Sequence, residues 1–190
     1  MRLKDICSIR TGLVLSRKIS DDEVNSYKYK QITLKSVQTD GCINTDEFND
    51  FFSDELIKDN YLAADGDVLV RLTAPFNAIY VDETIEGVVV PSHFVIIKAD
   101  KTQVLPQYIA WYLKRERIKK AMLSSCVGAL LQVKPTFVAD IEINLPPLST
   151  QEKVVEIDRL SGLETRLYNE LVEQKQMYYN QLTRQINKIK

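Results

Sequence analysis

Leu145-Pro146-Pro147-Leu148-Ser149-Thr150-Gln151-Glu152 divides this chain of 190 residues into two unlike parts. The two prolines end whatever precedes them, because they lack the backbone N–H and disfavour helical geometry in the residue before. Ser149 stands three residues ahead of Glu152, the capping-box spacing in which each side chain satisfies an orphan backbone donor of the other. Beyond it, no proline and one glycine (Gly162) interrupt the run to Lys190. Arg184, Lys188 and Lys190 place cations where a helix carries its negative pole. The pattern predicts one long helix from Thr150 to about Ile189.

Leu160, Leu163, Leu167, Leu171, Gln174, Tyr178, Leu182, Ile186 and Ile189 recur every three or four residues along it. Eight steps cover the 29 positions from Leu160 to Ile189, a mean of about 3.6, the period of a straight α-helix. A strict heptad repeat would instead impose a left-handed supercoil, so the stripe suits a nearly straight partner. At about 1.5 Å per residue the helix reaches roughly 60 Å. A helix so long with a continuous apolar stripe calls for another helix beside it; folding back over its own domain is the alternative. Gln174 is the polar member at the midpoint. In an antiparallel pair about a two-fold axis it meets its own symmetry mate, and a glutamine can both donate and accept, which would set the register. A glutamine reaching solvent at a splayed part of the seam reads equally well.

Upstream, residues 1–145 read as one α+β domain with a meandering sheet. Tyr27–Leu34 alternates like a strand, Asp40-Gly41 signals a hairpin before Cys42–Ile43, and Ser53-Asp54-Glu55 has the composition of a short helix start. Asp65-Gly66-Asp67 turns into the buried-type strand Val68–Leu72. Ala78–Val81, Gly87–Val90 and Phe94–Lys98 are further β-rich runs, Pro106 to Met122 reads as helix, and Lys134 to Ile143 as a closing strand.

Hydrophobic content of 45% with 27% charged residues is that of an ordinary globular protein. No apolar run is long enough to span a membrane, and the first residues lack a signal-peptide core. Cys7, Cys42 and Cys126 show no CxxC spacing and His93 is the sole histidine, which argues against a metal site and for a reducing, cytoplasmic setting. No two of the six glycines share G-x-G spacing, and no P-loop occurs. Asn144-Leu145-Pro146-Pro147 is similar to the Asn-Pro-Pro-aromatic motif of amino-methyltransferases, but the intervening Leu145 and the following Leu148 spoil it. His93 has no evident nucleophile partner, and no nuclease-like carboxylate set stands out. The sequence predicts a protein without catalytic machinery.

Charge is segregated although the net is −1. Eight acids fall between Asp46 and Asp67 against Lys58 alone, and five bases between Lys114 and Lys120 against Glu116 alone. Phosphate contacts supply sequence-independent affinity, while base-edge contacts supply specificity. Residue types able to read base edges gather in predicted loops: Arg71, Thr73 and Asn77; Ser92 and His93; and Ser124, Ser125, Gln132 and Lys134 around Gly128.

These residues acquire a context from a resemblance. Leu3-Lys4-Asp5-Ile6, Gly12, Leu62, Gly66-Asp67-Val68-Leu69-Val70, Tyr108-Ile109-Ala110-Trp111-Tyr112-Leu113, Gly128 and the junction Ile141-Glu142-Ile143-Asn144-Leu145-Pro146-Pro147-Leu148-Ser149 with Gln151 are similar to the DNA-specificity (S) subunits of Type I restriction–modification systems. The likeness covers essentially the whole chain and is strongest at the strand–Pro-Pro–Gln–helix junction. Thr150 stands where the family usually has glutamate. Typical members carry two recognition domains and two helices; this chain has one of each.

The resemblance implies a target-recognition domain over 1–145 and a spacer helix over 146–190. It implies that two such helices pack antiparallel and hold two readers of double-stranded DNA a set distance apart. A half-length chain would rebuild this as a homodimer, whose two-fold symmetry makes the target an inverted repeat. Methyltransferase (M) subunits using S-adenosylmethionine and a restriction (R) subunit using ATP and Mg would be partners, with no cofactor in this chain. A free-standing dimeric DNA-binding regulator, for which no helix-turn-helix is evident, and a scaffold whose loops read nothing are the other expectations.

Overall fold

The computed structural model describes residues 1–20, 25–38, 42–126 and 131–187. Asp40-Gly41, Gly128 and Lys188 to Lys190, with the last stripe member Ile189, lie outside them. The chain divides into two compact units, Met1–Glu152 and Lys153–Lys190.

In the first unit, β1 (Cys7–Thr11), β4 (Asp67–Arg71), β5 (Ala78–Tyr80) and β6 (Phe94–Ala99) form an antiparallel sheet in the order β1-β6-β4-β5, and β2 (Tyr27–Gln31) pairs with β3 (Asn49–Ser53) in a separate two-stranded sheet. Register explains why β4 and β6 read as continuous apolar runs. Arg10, Ile96, Leu69 and Ile79 lie in one row across the sheet, and Ile9, Ile97, Val68 and Tyr80 in the next. Leu69, Ile79, Phe94 and Ile96 pack with Ile32, Val81 and Val90 on one face. On the other, α1 (Pro106–Lys114) packs against β4 and β5. A strand covered on both faces has no reason to alternate with polar residues.

Gly12 is required by close approach: a Cβ there would run into the backbone carbonyls of Val90 and Pro91. The α+β class and the long helix agree with the sequence. Several local expectations do not. Ser53 ends β3 instead of opening a helix, and its hydroxyl serves a bend, donating to the Glu55 carbonyl at 2.7 Å. Lys134 to Ile143 is no strand: Pro135, with φ pre-set, begins the short helix α3 (Pro135–Asp140), and only Glu142 bridges, to Arg2. The helix predicted from Pro106 to Met122 is two, α1 and α2 (Glu116–Ser124), separated at Arg115, whose ψ of 138° is extended. There the guanidinium lies over the rings of Trp111 and Tyr112, 5.2 and 5.6 Å from their centroids.

Helix α4 runs from Leu148 to Asn187, 40 residues. It begins earlier than the capping box required, so Ser149 lies inside the helix and cannot cap it. The carbonyl of Pro147 accepts from the N–H groups of both Thr150 and Gln151. No helix among the described residues is long and apolar enough to cross a membrane.

Candidate nucleic-acid interface

Because β4 runs antiparallel to β5 and β6, its end and their beginnings meet at one edge of the sheet, with Arg71 opposite Phe94 and Val70 opposite Ala78. Three segments lie side by side at that edge. Leu72 donates to the His93 carbonyl at 2.9 Å, Val133 donates to the Leu72 carbonyl at 2.9 Å, and Thr73 bridges Gln132. Arg71, Thr73, His93 and Gln132, dispersed in sequence, thus share one patch.

Arg71 is held from two sides. Its Nε donates to Thr73 Oγ1 at 3.0 Å and Nη1 to the Leu34 carbonyl at 3.2 Å. Burial lowers its pKa, and a guanidinium has ample room to stay protonated. Among the described residues Nη2 takes no partner, so the fork is aimed with donors to spare.

Asn77 departs from the sequence expectation of a base reader. It is 1% exposed, its Nδ2 donates to the Gln38 carbonyl at 2.5 Å, and its Oδ1 accepts from Lys119 Nζ at 3.0 Å. An amide closed off at both ends has no edge left for a base, and its place in the site is to hold Lys119. Lys119 had read as one more member of a solvated basic run; nothing local distinguishes it from Lys120, which is exposed and 4.0 Å from Glu116.

The remaining candidates sit around this patch. His93 and Lys134 are exposed, and Ser92 is half-buried, its N–H donating to the Leu13 carbonyl at 2.7 Å. Ser124 and Ser125 are at the end of α2, where their hydroxyls donate to the carbonyls of Lys120 and Met122 at 3.0 and 2.7 Å. Those protons are committed to the helix, leaving only acceptor capacity for a ligand. The acidic run is partly neutralised: Asp50 accepts from Lys28 and Lys30, whose hydrogen bonds hold its pKa down, and Asp67 is buried beside Arg10. Among the described residues no group of three or more His, Cys, Asp or Glu side chains could hold a metal ion.

In the second unit the apolar stripe is open. Leu160, Leu167, Leu171, Tyr178 and Ile186 are 46 to 68% exposed, Gln174 is exposed, and Leu163 and Leu182 are half-buried. Leu160, Leu163, Leu167 and Leu171 line a shallow groove along the helix with Glu164 and Tyr168.

The profile of the Type I restriction modification DNA specificity domain matches residues 1–174. The chain belongs to that family. Type I specificity subunits are DNA-recognition proteins without catalytic chemistry of their own, which is the class the sequence predicted. Solved structures share the fold. One, titled as the structural basis of complex assembly and conformational transition of the type I R-M system, superposes with a TM-score of 0.68 at 17% identity over 89% of this chain and 43% of its own. The HsdS subunit from Thermoanaerobacter tengcongensis gives 0.64 at 17% identity over 89% and 42%, and the S subunit from M. genitalium 0.50 at 13% over 90% and 40%. No curated protein matches the chain. This chain therefore spans about two-fifths of the length of the solved chains it resembles.

Proposed function

We propose that this chain reads one half of a bipartite DNA target for a Type I restriction–modification system, and does so as a homodimer paired antiparallel through α4. The observation that carries the reading is a likeness in fold confined to about 43% of a related chain, in a protein whose long helix exposes Leu160, Leu167, Leu171, Tyr178 and Ile186 along its stripe. A related chain of twice the length has room for two readers; two copies of this one supply the same number. About eight apolar side chains per helix, each worth roughly 1.5–3 kcal/mol on burial, provide ample gross drive for the pairing before ordering costs are subtracted. The domain over 1–145 then serves as reader, and residues 146–190 as the spacer.

Arg71 and Gln132 supply base-edge contacts in this reading, with Thr73, Ser92, His93, Ser124, Ser125 and Lys134 around them, and Lys119 meets phosphate. The chain recruits M subunits, which bring S-adenosylmethionine and methylate adenine, and an R subunit, which brings ATP and Mg; the complex works on DNA in the cytoplasm. With a net charge of −1, the chain alone binds DNA weakly and shares phosphate neutralisation with its partners.

The test is co-expression with the cognate M subunit and mapping of methylated adenines across a genome. An inverted repeat interrupted by an unread gap of one length supports the reading. Methylation independent of the chain, or an unsymmetrical target, overturns it.

A further inference from the structure

Gln151 is a polar side chain in a place that an apolar one would fill. It is 1% exposed, whereas its neighbours Ser149, Thr150, Glu152 and Lys153 are all exposed. Its amide is used completely. Oε1 accepts from the Leu105 N–H at 2.9 Å, and Nε2 donates to the carbonyls of Pro146 at 2.8 Å and Gln103 at 3.2 Å. A glutamine offers two donors and an acceptor, and all are matched to backbone groups of the segments on either side of it.

Those groups are not random. Leu105 immediately precedes α1 and has no side-chain cap of its own, and Pro146 lies two residues before the first residue of α4. One amide therefore joins the beginnings of two helices that lie more than forty residues apart in sequence. The same helix α1 grips the approach to α4 twice more. Tyr108 donates from its hydroxyl to the Asn144 carbonyl and Tyr112 to the Glu142 carbonyl, both at 3.0 Å. Leu105, Tyr108 and Tyr112 follow one another at about one turn of helix, so α1 is a splint laid along residues 142–151. Gln151 is the contact that reaches the helix itself.

We infer that Gln151 is a positioning residue: it fixes the start of α4 on α1, and through it the length of the unread gap between the two half-sites. The inference rests on the homodimeric reading proposed above. A leucine of similar volume at this position would fill the space but make none of the three hydrogen bonds, so the first turn of α4 would lose its link to the start of α1.

The experiment uses the full-length chain assembled with its M subunits. Methylation is measured on a panel of DNAs carrying the same half-sites with the gap lengthened or shortened by single base pairs. The wild-type complex methylates one gap length. For Gln151→Leu, and for Gln151→Glu, which keeps an acceptor but loses both donors, methylation of the neighbouring gap lengths relative to the original rises by at least about fivefold, the factor one net hydrogen bond is worth. The half-site sequences stay unchanged. A purely structural role lowers the unfolding temperature and leaves the gap preference alone; that result overturns the inference. Tyr112→Phe removes a single hydroxyl from the same splint and keeps the ring, so it supplies a milder variant should both Gln151 variants fail to fold, and an unchanged gap preference there overturns the inference as well. A wild-type complex with no two-part target removes the homodimeric reading and this inference together, whereas variants that keep one gap length remove only the latter.

Discussion

Lys119 Nζ donates a 3.0 Å hydrogen bond to Asn77 Oδ1 across 42 positions of sequence. It links α2 to the turn between β4 and β5, which carries Thr73 and follows directly on Arg71, the last residue of β4. The buried amide orients a lysine that is itself half-exposed, at the edge where Gln132 and His93 are brought alongside. A positive charge held by a neutral partner keeps its full charge for an external anion, which a lysine paired with a carboxylate does not.

Replacing Lys119 by alanine weakens DNA binding by the assembled complex to a similar degree on all sequences. It also lowers the slope of log affinity against log salt by about one, the signature of one lost phosphate contact. Titrations at several salt concentrations on target and non-target DNA check this; an effect confined to the target would mean that Lys119 reads bases.

Arg71→Ala and Gln132→Ala change which DNA is methylated while the complex still assembles. Loss of a base-edge contact is worth about 1–3 kcal/mol of discrimination, enough to relax one position of the target in a genome-wide methylation map. An unaltered map with either variant removes that residue from the reading surface.

Leu167→Asp or Leu171→Asp yields monomers, because each puts a charge into the middle of the α4 seam, where burying it unpaired costs several kcal/mol. Sedimentation velocity distinguishes the outcomes, and dimers of undiminished stability would rule out pairing through this stripe. Gln174→Leu in the same assay keeps or raises dimer stability, since it removes a polar group from an apolar seam.

Asp67 gives the fold a pH dependence of its own. Burial is the largest influence on its carboxyl and raises its pKa, against the lowering effects of the Ala64 N–H, Arg10, Lys98 and Lys101. A raised folded-state value means that the stabilisation belongs to the protonated form. It is complete below the unfolded value and is lost as pH rises through the folded one. Asp67→Asn removes that loss, so the stability of the variant relative to wild type improves as pH is raised above the ordinary carboxylate value. Urea midpoints across this rise measure the change; a constant difference between the two proteins would contradict it.

Several elements were legible because their signal is local. The period of the α4 stripe and the turn Asp65-Gly66-Asp67 ahead of β4 depend only on neighbours along the chain, and both elements stand close to where they were read. The strand expected over Lys134 to Ile143 failed because a single turn and a half of helix (Pro-Thr-Phe-Val-Ala-Asp) is too short to show a period, leaving β-branched composition to mislead. Ser53-Asp54-Glu55 failed because a serine hydroxyl satisfies a bend as readily as a helix start.

The sequence by itself determined the class of fold, the long helix with its stripe, and the likeness to a specificity subunit, since all three are carried by order and spacing along one chain. Only the tertiary structure decided which polar residues face outward. Asn77 and Gln151 are as polar as Gln132, yet both are 1% exposed and hydrogen-bonded within the protein, because each has partners from segments about forty or more residues away in sequence. Burial is a property of the packed chain, and no residue carries it alone.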